Sequence, residues 1–291
     1  MKFHWHQMAL RQVQRSFHKN GLREELLEQK GYRFHYYDNH RPGEAIFLLN
    51  GLGATTEFQW YKVLAPFAQR YRTIVVNLLH FGKSINLEQS DYQLTTQVDF
   101  VLSLAHALEL PRFRLAGISY GGLVGAELAE KFPEKVTGLT LFNAPIKFLD
   151  LPRLEALCQM HGAEGVRDFF APSSPEGLRR QLKVANYRKV WMPRFITNSF
   201  YQGFGAPHQK AWEGLVDHLL EQFPALKQKQ YHYAGPVTLV WGAEDPIIPL
   251  QVGQELEAMY ANAQLHVLPQ CGHLPPIEQP RKVRQVLLAL S

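Results

Sequence analysis

Blocks of apolar and polar residues succeed one another along most of the chain, and they predict strands and helices in turn. Continuous apolar runs such as Ala45–Leu49 and Thr73–Leu79 are typical of strands buried on both faces of a sheet. Stretches such as Thr56–Tyr71 carry apolar residues at helical spacing. The other predicted strands are Tyr32–Tyr37, Arg114–Ile118, Val136–Phe142, Pro236–Trp241 and Gln264–Leu268, and the other predicted helices are Thr95–Leu110, Leu123–Phe132, Leu250–Tyr260 and Arg281–Leu290. This alternation predicts an α/β fold, with a mostly parallel central sheet and helices on both of its faces.

Two parts of the chain depart from the alternation. Residues 3–19 predict a short amphipathic helix. Residues 147–233 are rich in aromatic residues and predict helices and loops without a clear strand. We therefore predict three parts: a basic helical N-terminal extension, an α/β core, and an inserted helical cap over the carboxyl edge of the sheet. Their predicted bounds are residues 1–30 for the extension, 31–146 and 234–291 for the core, and 147–233 for the cap.

Positive charge is concentrated near the N-terminus of a chain whose formal net charge is +5. Residues 1–41 carry eight Lys/Arg and four acidic residues, and the first 23 residues contain no acidic residue. Such a segment suits a membrane surface or an acidic partner protein, but a solvated helical extension is the commoner arrangement and is the one we expect. Aromatic and basic residues do not interleave in the way of nucleic-acid-binding proteins, so we expect no nucleic-acid partner.

Cysteine usage and the N-terminal pattern favour a cytoplasmic protein. Cys158 and Cys271 are too few for a disulfide framework in a chain of 291 residues, so we expect both to be reduced. The N-terminus lacks the continuous apolar segment of a secretory signal. His4 and His6 have no accompanying carboxylate or cysteine cluster, and neither dinucleotide nor P-loop motifs occur. We therefore expect no metal and no cofactor.

The strongest chemical signal is the sequence Gly-Ile-Ser-Tyr-Gly at residues 117–121, which follows a predicted strand and precedes a predicted helix. A nucleophile elbow has this context, because its strained turn needs small residues on both sides of the serine. Ser119 is therefore the candidate nucleophile. The oxyanion that forms during acyl transfer needs backbone donors. The candidates are the N–H of Tyr120 and the N–H of Leu52, which lies in the glycine-rich turn Asn50–Gly53.

A serine nucleophile needs a base and a carboxylate that orients the base. His273 follows the last predicted strand, and Asp245 follows the strand before it. The order Ser, Asp, His is the one expected on this fold. Glu244 is the competing carboxylate, but Pro246 fixes the loop after Asp245 and favours Asp245. Cys271 is the competing nucleophile, although a buried cysteine is more often an apolar filler.

These motifs together resemble the α/β-hydrolase superfamily over residues 32–291. The resemblance implies the α/β-hydrolase fold and an acyl-enzyme formed on Ser119. Ser174–Leu178 and Trp191–Phe195 resemble the cap of monoacylglycerol-lipase-like esterases, which implies hydrolysis of a carboxylic ester with an apolar acyl chain. Asn50–Phe58 instead resembles hydroxyacyl-carrier-protein acyltransferases, since that branch carries Asn where many hydrolases carry His.

The second branch implies acyl transfer from a carrier-protein or coenzyme A thioester, and the basic N-terminus would suit acidic acyl carrier protein as a partner. The expected substrate is therefore a small-molecule acyl ester or thioester, with ester hydrolysis as the first hypothesis and acyl transfer as the alternative. Two positions depart from the superfamily pattern. Asn77 stands where most hydrolases have Asp, and Leu79–Phe81 stands where most have a glycine-rich turn.

Overall fold

A mostly parallel sheet forms the centre of the protein in a computed structural model, which describes residues 4–53, 55–88, 91–147 and 150–289. The strands are β1 (Arg23–Gln29), β2 (Tyr32–Asp38), β3 (Ala45–Leu49), β4 (Arg72–Asn77), β5 (Ile85–Asn86), β6 (Phe113–Ile118), β7 (Val136–Phe142), β8 (Val237–Gly242) and β9 (Ala263–Leu268). Their order is β1-β2-β4-β3-β6-β7-β8-β9, and β5 pairs with β2. The run from β4 to β9 is parallel, whereas β1, β2 and β5 pair antiparallel. The predicted α/β fold with a mostly parallel sheet is confirmed.

Helices cover both faces of this sheet. They are α1 (Trp5–Lys19), α2 (Thr56–Trp60), α3 (Leu64–Arg70), α4 (Leu94–Ala107), α5 (Tyr120–Lys131), α6 (Leu151–Met160), α7 (Val166–Phe170), α8 (Pro175–Ala185), α9 (Arg194–Phe200), α10 (Gln209–Gln228), α11 (Leu250–Met259), α12 (Pro275–Glu278) and α13 (Pro280–Ala289), with a π-helical turn at Tyr201–Gly205. Helices α6 to α10 follow β7 and precede β8, where we predicted a cap, and the cap boundaries stay a prediction. Residues 148–149 of the cap, and Leu290 at the end of the last predicted helix, lie outside the described residues.

The central strands read as continuous apolar runs because each of their faces packs against a different core. All five residues of β3 are buried. Phe47 and Leu49 belong to the core beneath α4 and α5, while Ile46 and Leu48 belong to the core beneath α1, α3 and α13. Successive side chains of a strand point to opposite faces, so a strand covered on both sides needs an apolar residue at every position.

The single helix predicted over Thr56–Tyr71 is wrong, because the structure has two short helices there. Helix α2 ends at Trp60, and α3 begins at Leu64. Pro66 accounts for the break. Proline has no N–H to donate, and its ring clashes with the carbonyl four residues earlier in a continuous helix. In the third position of α3 the missing N–H removes no hydrogen bond, since the first N–H groups of a helix have no partner within it.

Only the first part of the extension predicted for residues 1–30 is helical, as α1. Arg23–Gln29 form β1, which pairs antiparallel with β2, because Gly21 at φ +79° turns the chain after α1. Helix α1 packs its apolar face on the protein, with Val13 and Phe17 buried in the core. The predicted helix began at residue 3, which lies outside the described residues. In the described parts of the chain, no helix has both the length and the apolar character needed to cross a bilayer.

Candidate active site

Ser119 lies in a tight turn between the carboxyl end of β6 and the first residue of α5. Its backbone has φ +50° and ψ −117°, which a residue with a side chain rarely adopts. The turn is closely packed: a Cβ on Gly117 would lie 2.3 Å from the carbonyl oxygen of Gly121. A Cβ on Gly121 would lie 2.6 Å from the carbonyl oxygens of Leu49 and Asn50. The flanking glycines are therefore required by space, as the elbow motif predicts.

His273 and Asp245 form a buried hydrogen-bonded pair. Nδ1 of His273 lies 2.7 Å from Oδ2 of Asp245, and the two residues are each 5% exposed. Since a carboxylate only accepts, the imidazole carries its proton on Nδ1 and leaves Nε2 free to accept one. The competing Glu244 is not part of this pair, because its carboxylate accepts the backbone N–H of Cys271 at 3.0 Å.

Asp245 is fixed by donors at both of its oxygens. Oδ1 accepts the backbone N–H groups of Ile247 and Ile248 at 2.8 and 3.1 Å. Oδ2 accepts Nδ2 of Asn143 in addition to His273. Asn143 is fully buried at the carboxyl end of β7, and it also accepts the backbone N–H of Gly242. Sequence reasoning missed Asn143, although its place just after a buried strand is where site residues of α/β sheets collect.

Ser119 and His273 line the same cavity, which lies beneath α8, α9 and α10 and has a volume of about 380 Å³. Its wall is mainly apolar and aromatic, including Phe58, Phe200 and Trp212. Among the described residues, its lining includes no Lys, Arg, Asp or Glu. A second, narrower cavity of about 40 Å³ also reaches Ser119 and runs between α6, α7 and α10. The serine thus stands where two apolar cavities meet.

The peptide that joins Gly51 to Leu52 is held from one side by two side-chain amides. Nε2 of Gln59 and Nδ2 of Asn50 donate to the Gly51 carbonyl at 3.3 and 3.1 Å. Oε1 of Gln59 also accepts the Gly51 N–H at 2.7 Å. The carbonyl and the Leu52 N–H point in opposite directions, because they belong to one trans peptide. A Cβ on Gly51 would lie 3.1 Å from the Cβ of Ser119, so this peptide is next to the serine.

The second predicted oxyanion donor, Tyr120, is the first residue of α5, so its N–H has no partner within the helix. Tyr120, Leu52 and Ser119 line the narrower cavity together. The structure therefore brings both predicted donors to the serine. Sequence reasoning missed Gln59, whose role depends on α2 folding back over the turn. Ala54, within the segment that resembles the acyltransferases, lies outside the described residues.

The loop that carries His273 is tied to the cap. The His273 N–H donates to the carbonyl of Ala185, at the end of α8, at 2.7 Å. The Glu278 carboxylate accepts the N–H of Gly272 at 2.9 Å and that of Tyr187 at 2.7 Å. Burial raises the pKa of Glu278. Burial also raises the pKa of the Cys271 thiol, which opposes the thiolate that a cysteine nucleophile requires.

A buried histidine explains why Asn77 stands where most α/β hydrolases have Asp. Nδ1 of His35 lies 3.0 Å from Nδ2 of Asn77 and 3.2 Å from the backbone N of Lys83. Both of these groups are donors, so Nδ1 accepts. Nε2 therefore carries the proton and donates to Glu24. Burial lowers the pKa of His35, which favours this neutral form. The Asn77 Oδ1 accepts the N–H of Thr56 at the start of α2. An aspartate here would place an acceptor against the acceptor nitrogen of His35.

Comparisons with known proteins agree with this architecture. The family model described as alpha/beta hydrolase fold matches residues 44–280. A monoacylglycerol lipase of Homo sapiens is 24% identical over 277 residues, which cover 92% of this chain and 82% of that protein. A 2-hydroxymuconate semialdehyde hydrolase of Pseudomonas sp. (strain CF600) is 33% identical over 237 residues, 79% of each protein. The solved structure of a membrane phospholipase A, a bacterial virulence factor, matches with a TM-score of 0.80 and 20% identity over 97% of this chain and 90% of that one, a likeness of fold.

Proposed function

The chain belongs to the alpha/beta hydrolase family and is a hydrolase, and on this premise we propose that it cleaves carboxylic esters with an apolar acyl chain through an acyl-enzyme on Ser119. The observation that carries the proposal is the meeting of Ser119 and the His273–Asp245 pair at an apolar cavity without a charged lining residue. A neutral ester fits such a wall, because burying a charge without a partner is costly.

In the proposed mechanism Ser119 attacks the acyl carbonyl while Nε2 of His273 takes the hydroxyl proton. The N–H groups of Leu52 and Tyr120 donate to the oxyanion, and His273 returns the proton to the departing alcohol. Water then attacks the acyl-enzyme with His273 as its base, which releases the acid and restores Ser119. Asp245 holds the imidazole in the required tautomer and stabilises its charged form.

The relatives suggest two substrate classes, and the cavity favours one of them. The monoacylglycerol lipase acts, by its name, on a neutral glycerol ester. The 2-hydroxymuconate semialdehyde hydrolase acts, by its name, on a carboxylate-bearing compound. A site for a carboxylate is expected to hold an Arg or Lys, and none lies among the described residues that line either cavity beside Ser119. The acyltransferase alternative gains no support from these relatives.

The test is a substrate panel. We expect steady hydrolysis of p-nitrophenyl esters with an optimum at medium or long acyl chains, because the apolar wall contributes binding energy for each buried methylene. We expect a 2-hydroxy-6-oxo-dienoate to be a poor substrate in the same assay. Faster turnover of the dienoate than of every ester would overturn the ester assignment. Release of one equivalent of nitrophenol followed by a stall would instead favour an acyl acceptor other than water.

Replacing Gln59 with methionine tests the support of the oxyanion donor. The methionine keeps the size of the side chain but loses its hydrogen bonds to Gly51, so only Asn50 still holds the Gly51 carbonyl and the Leu52 N–H is fixed less firmly. We expect kcat to fall roughly 10- to 100-fold with little change in KM, since misplacing a donor weakens transition-state stabilisation. Gln181→Met, which changes a cap glutamine in the same cavity wall, is the control and should alter KM more than kcat. Equal kcat values for wild type and Gln59→Met would remove the proposed role.

A further inference from the structure

Of the segments of the sequence that contain no acidic residue, the two with the most Lys and Arg lie at the N-terminus and between α8 and α10. Residues 1–23 carry five Lys/Arg and no Asp or Glu. Residues 177–212, which run from α8 to the beginning of α10, carry seven Lys/Arg and again no Asp or Glu. The substrate chemistry described above uses none of these charges.

The structure brings the two acid-free segments together. The ring of Trp5 packs on the ring of Phe195, with centroids 5.5 Å apart. The backbone N–H of His6 donates to Oγ of Ser199 at 3.1 Å, and its ring contacts Phe204. The start of α1 therefore lies against α9 and the π-helical turn. We call the surface formed by α1 and by residues 186–195 the basic face.

Positive charge on the basic face is largely unneutralised. Arg179 and Arg180, just before it, pair with Glu176 and Asp168. In the described residues, by contrast, Arg188, Lys189 and Arg194 are exposed and form no ion pair. A cluster of this kind attracts a surface of negative charge, and each such residue adds to the attraction.

Large apolar side chains project among these charges. Trp191 is 86% exposed and Phe195 is 54% exposed, and Met8 of α1 is 51% exposed. A tryptophan this exposed is unusual for a surface that meets only water, whereas tryptophan beside Lys and Arg is typical of segments that sit in a membrane interface.

The basic face also borders the candidate active site. Val190 and Met192, on either side of Trp191, line the cavity that contains Ser119. An apolar chain that left a bilayer at Trp191 would therefore meet the rim of the cavity directly. This last step rests on the proposed ester hydrolysis, but the attraction to a surface does not.

We propose that the basic face binds the surface of an anionic phospholipid bilayer, with Trp191 inserted among the lipids and Arg188, Lys189 and Arg194 against the headgroup phosphates. A bilayer fits better than a folded acidic protein, because the exposed apolar side chains are spread over α1, the loop before α9 and α9 itself and lie among basic residues. The contact places the mouth of the cavity at the lipid.

The test is vesicle flotation of the full chain carrying Ser119→Ala, which prevents lipid hydrolysis during the assay. We expect binding to vesicles of phosphatidylcholine mixed with phosphatidylglycerol, weak binding to phosphatidylcholine alone, and loss of binding at high salt. The triple variant Arg188→Gln, Lys189→Gln, Arg194→Gln should bind roughly 100-fold more weakly. Trp191→Ser should bind roughly 10-fold more weakly.

The matched control removes the same charge elsewhere. Arg112, Lys131 and Lys135 lie near the amino ends of β6 and β7, at the edge of the sheet opposite Ser119, and their triple change to Gln should leave vesicle binding unaltered. An equal loss of vesicle binding in the two triple variants would overturn the proposal. So would the absence of vesicle binding by the chain whose basic face is unchanged. Retention on immobilised acyl carrier protein without vesicle binding would also overturn it, in favour of an acidic protein. Hydrolysis of a short soluble ester should be unchanged in the Trp191 variant, so failure of binding and failure of the ester assignment are separate results.

Discussion

Replacing Ser119 with alanine is expected to lower kcat for ester hydrolysis on the order of 10⁶-fold, because the proposed acyl-enzyme forms on its hydroxyl. The buried thiol of Cys271 is the nearest alternative in sequence, but burial raises its pKa and keeps it protonated. Folding should be unaffected, since alanine fits the same backbone turn. Turnover and thermal unfolding of the purified variant measure the two effects separately.

Labelling with a fluorophosphonate gives an independent reading of the same residue. The wild-type protein should gain one covalent adduct at Ser119, and the alanine variant should gain none. Ser103→Ala, in α4 and away from the cavities beside Ser119, is the matched control and should keep full activity and labelling. Undiminished hydrolysis by the Ser119 variant would show that the nucleophile lies elsewhere.

Replacing Asp245 with asparagine is expected to lower kcat about 10⁴-fold. Each carboxylate oxygen of Asp245 accepts two hydrogen bonds. Oδ1 accepts from Ile247 and Ile248. Oδ2 accepts from Asn143 and His273. The new NH₂ group must face donors in either orientation. The imidazole alone can adapt, by moving its proton to Nε2, and in that tautomer it no longer accepts the serine proton.

The same substitution should reduce the free energy of unfolding by about 1–3 kcal/mol, because a buried donor is left without an acceptor. Kinetic measurements well below the unfolding transition separate this loss from the catalytic one. Glu244→Gln is the matched control, since its side-chain oxygen can still accept the Cys271 N–H. If the two variants retained similar activity, Asp245 would not be the residue that orients His273.

The strands of the central sheet were predictable because burial on both faces leaves a continuous apolar run in the sequence. Strand β1 was not, since its residues Arg23–Gln29 are mostly exposed at the edge of the sheet and carry neither an apolar run nor a clear alternation. The break between α2 and α3 had a signal in Pro66, which the helical spacing of the neighbouring apolar residues obscured.

The candidate site was predictable where a local steric constraint leaves a sequence motif. Gly117 and Gly121 are an example, because a side chain at either position would collide with the backbone. Asn143 contacts Asp245, which is 102 positions away in the sequence. Gln59 contacts Gly51, which is 8 positions away. Contacts of this kind leave no motif of fixed spacing in the sequence, so they become visible only in the folded structure.

The hydrogen bond from His273 to the Ala185 carbonyl limits how this protein can be rebuilt. Cap exchange between hydrolases treats the cap as a removable module that sets specificity. Here the last residue of α8 also accepts a hydrogen bond from the proposed base, and the Glu278 carboxylate joins Tyr187, two residues after α8, to the loop that carries that base. A chimera with a foreign cap therefore has to keep the backbone of residues 185–187, or the change of specificity will also displace His273, the proposed base.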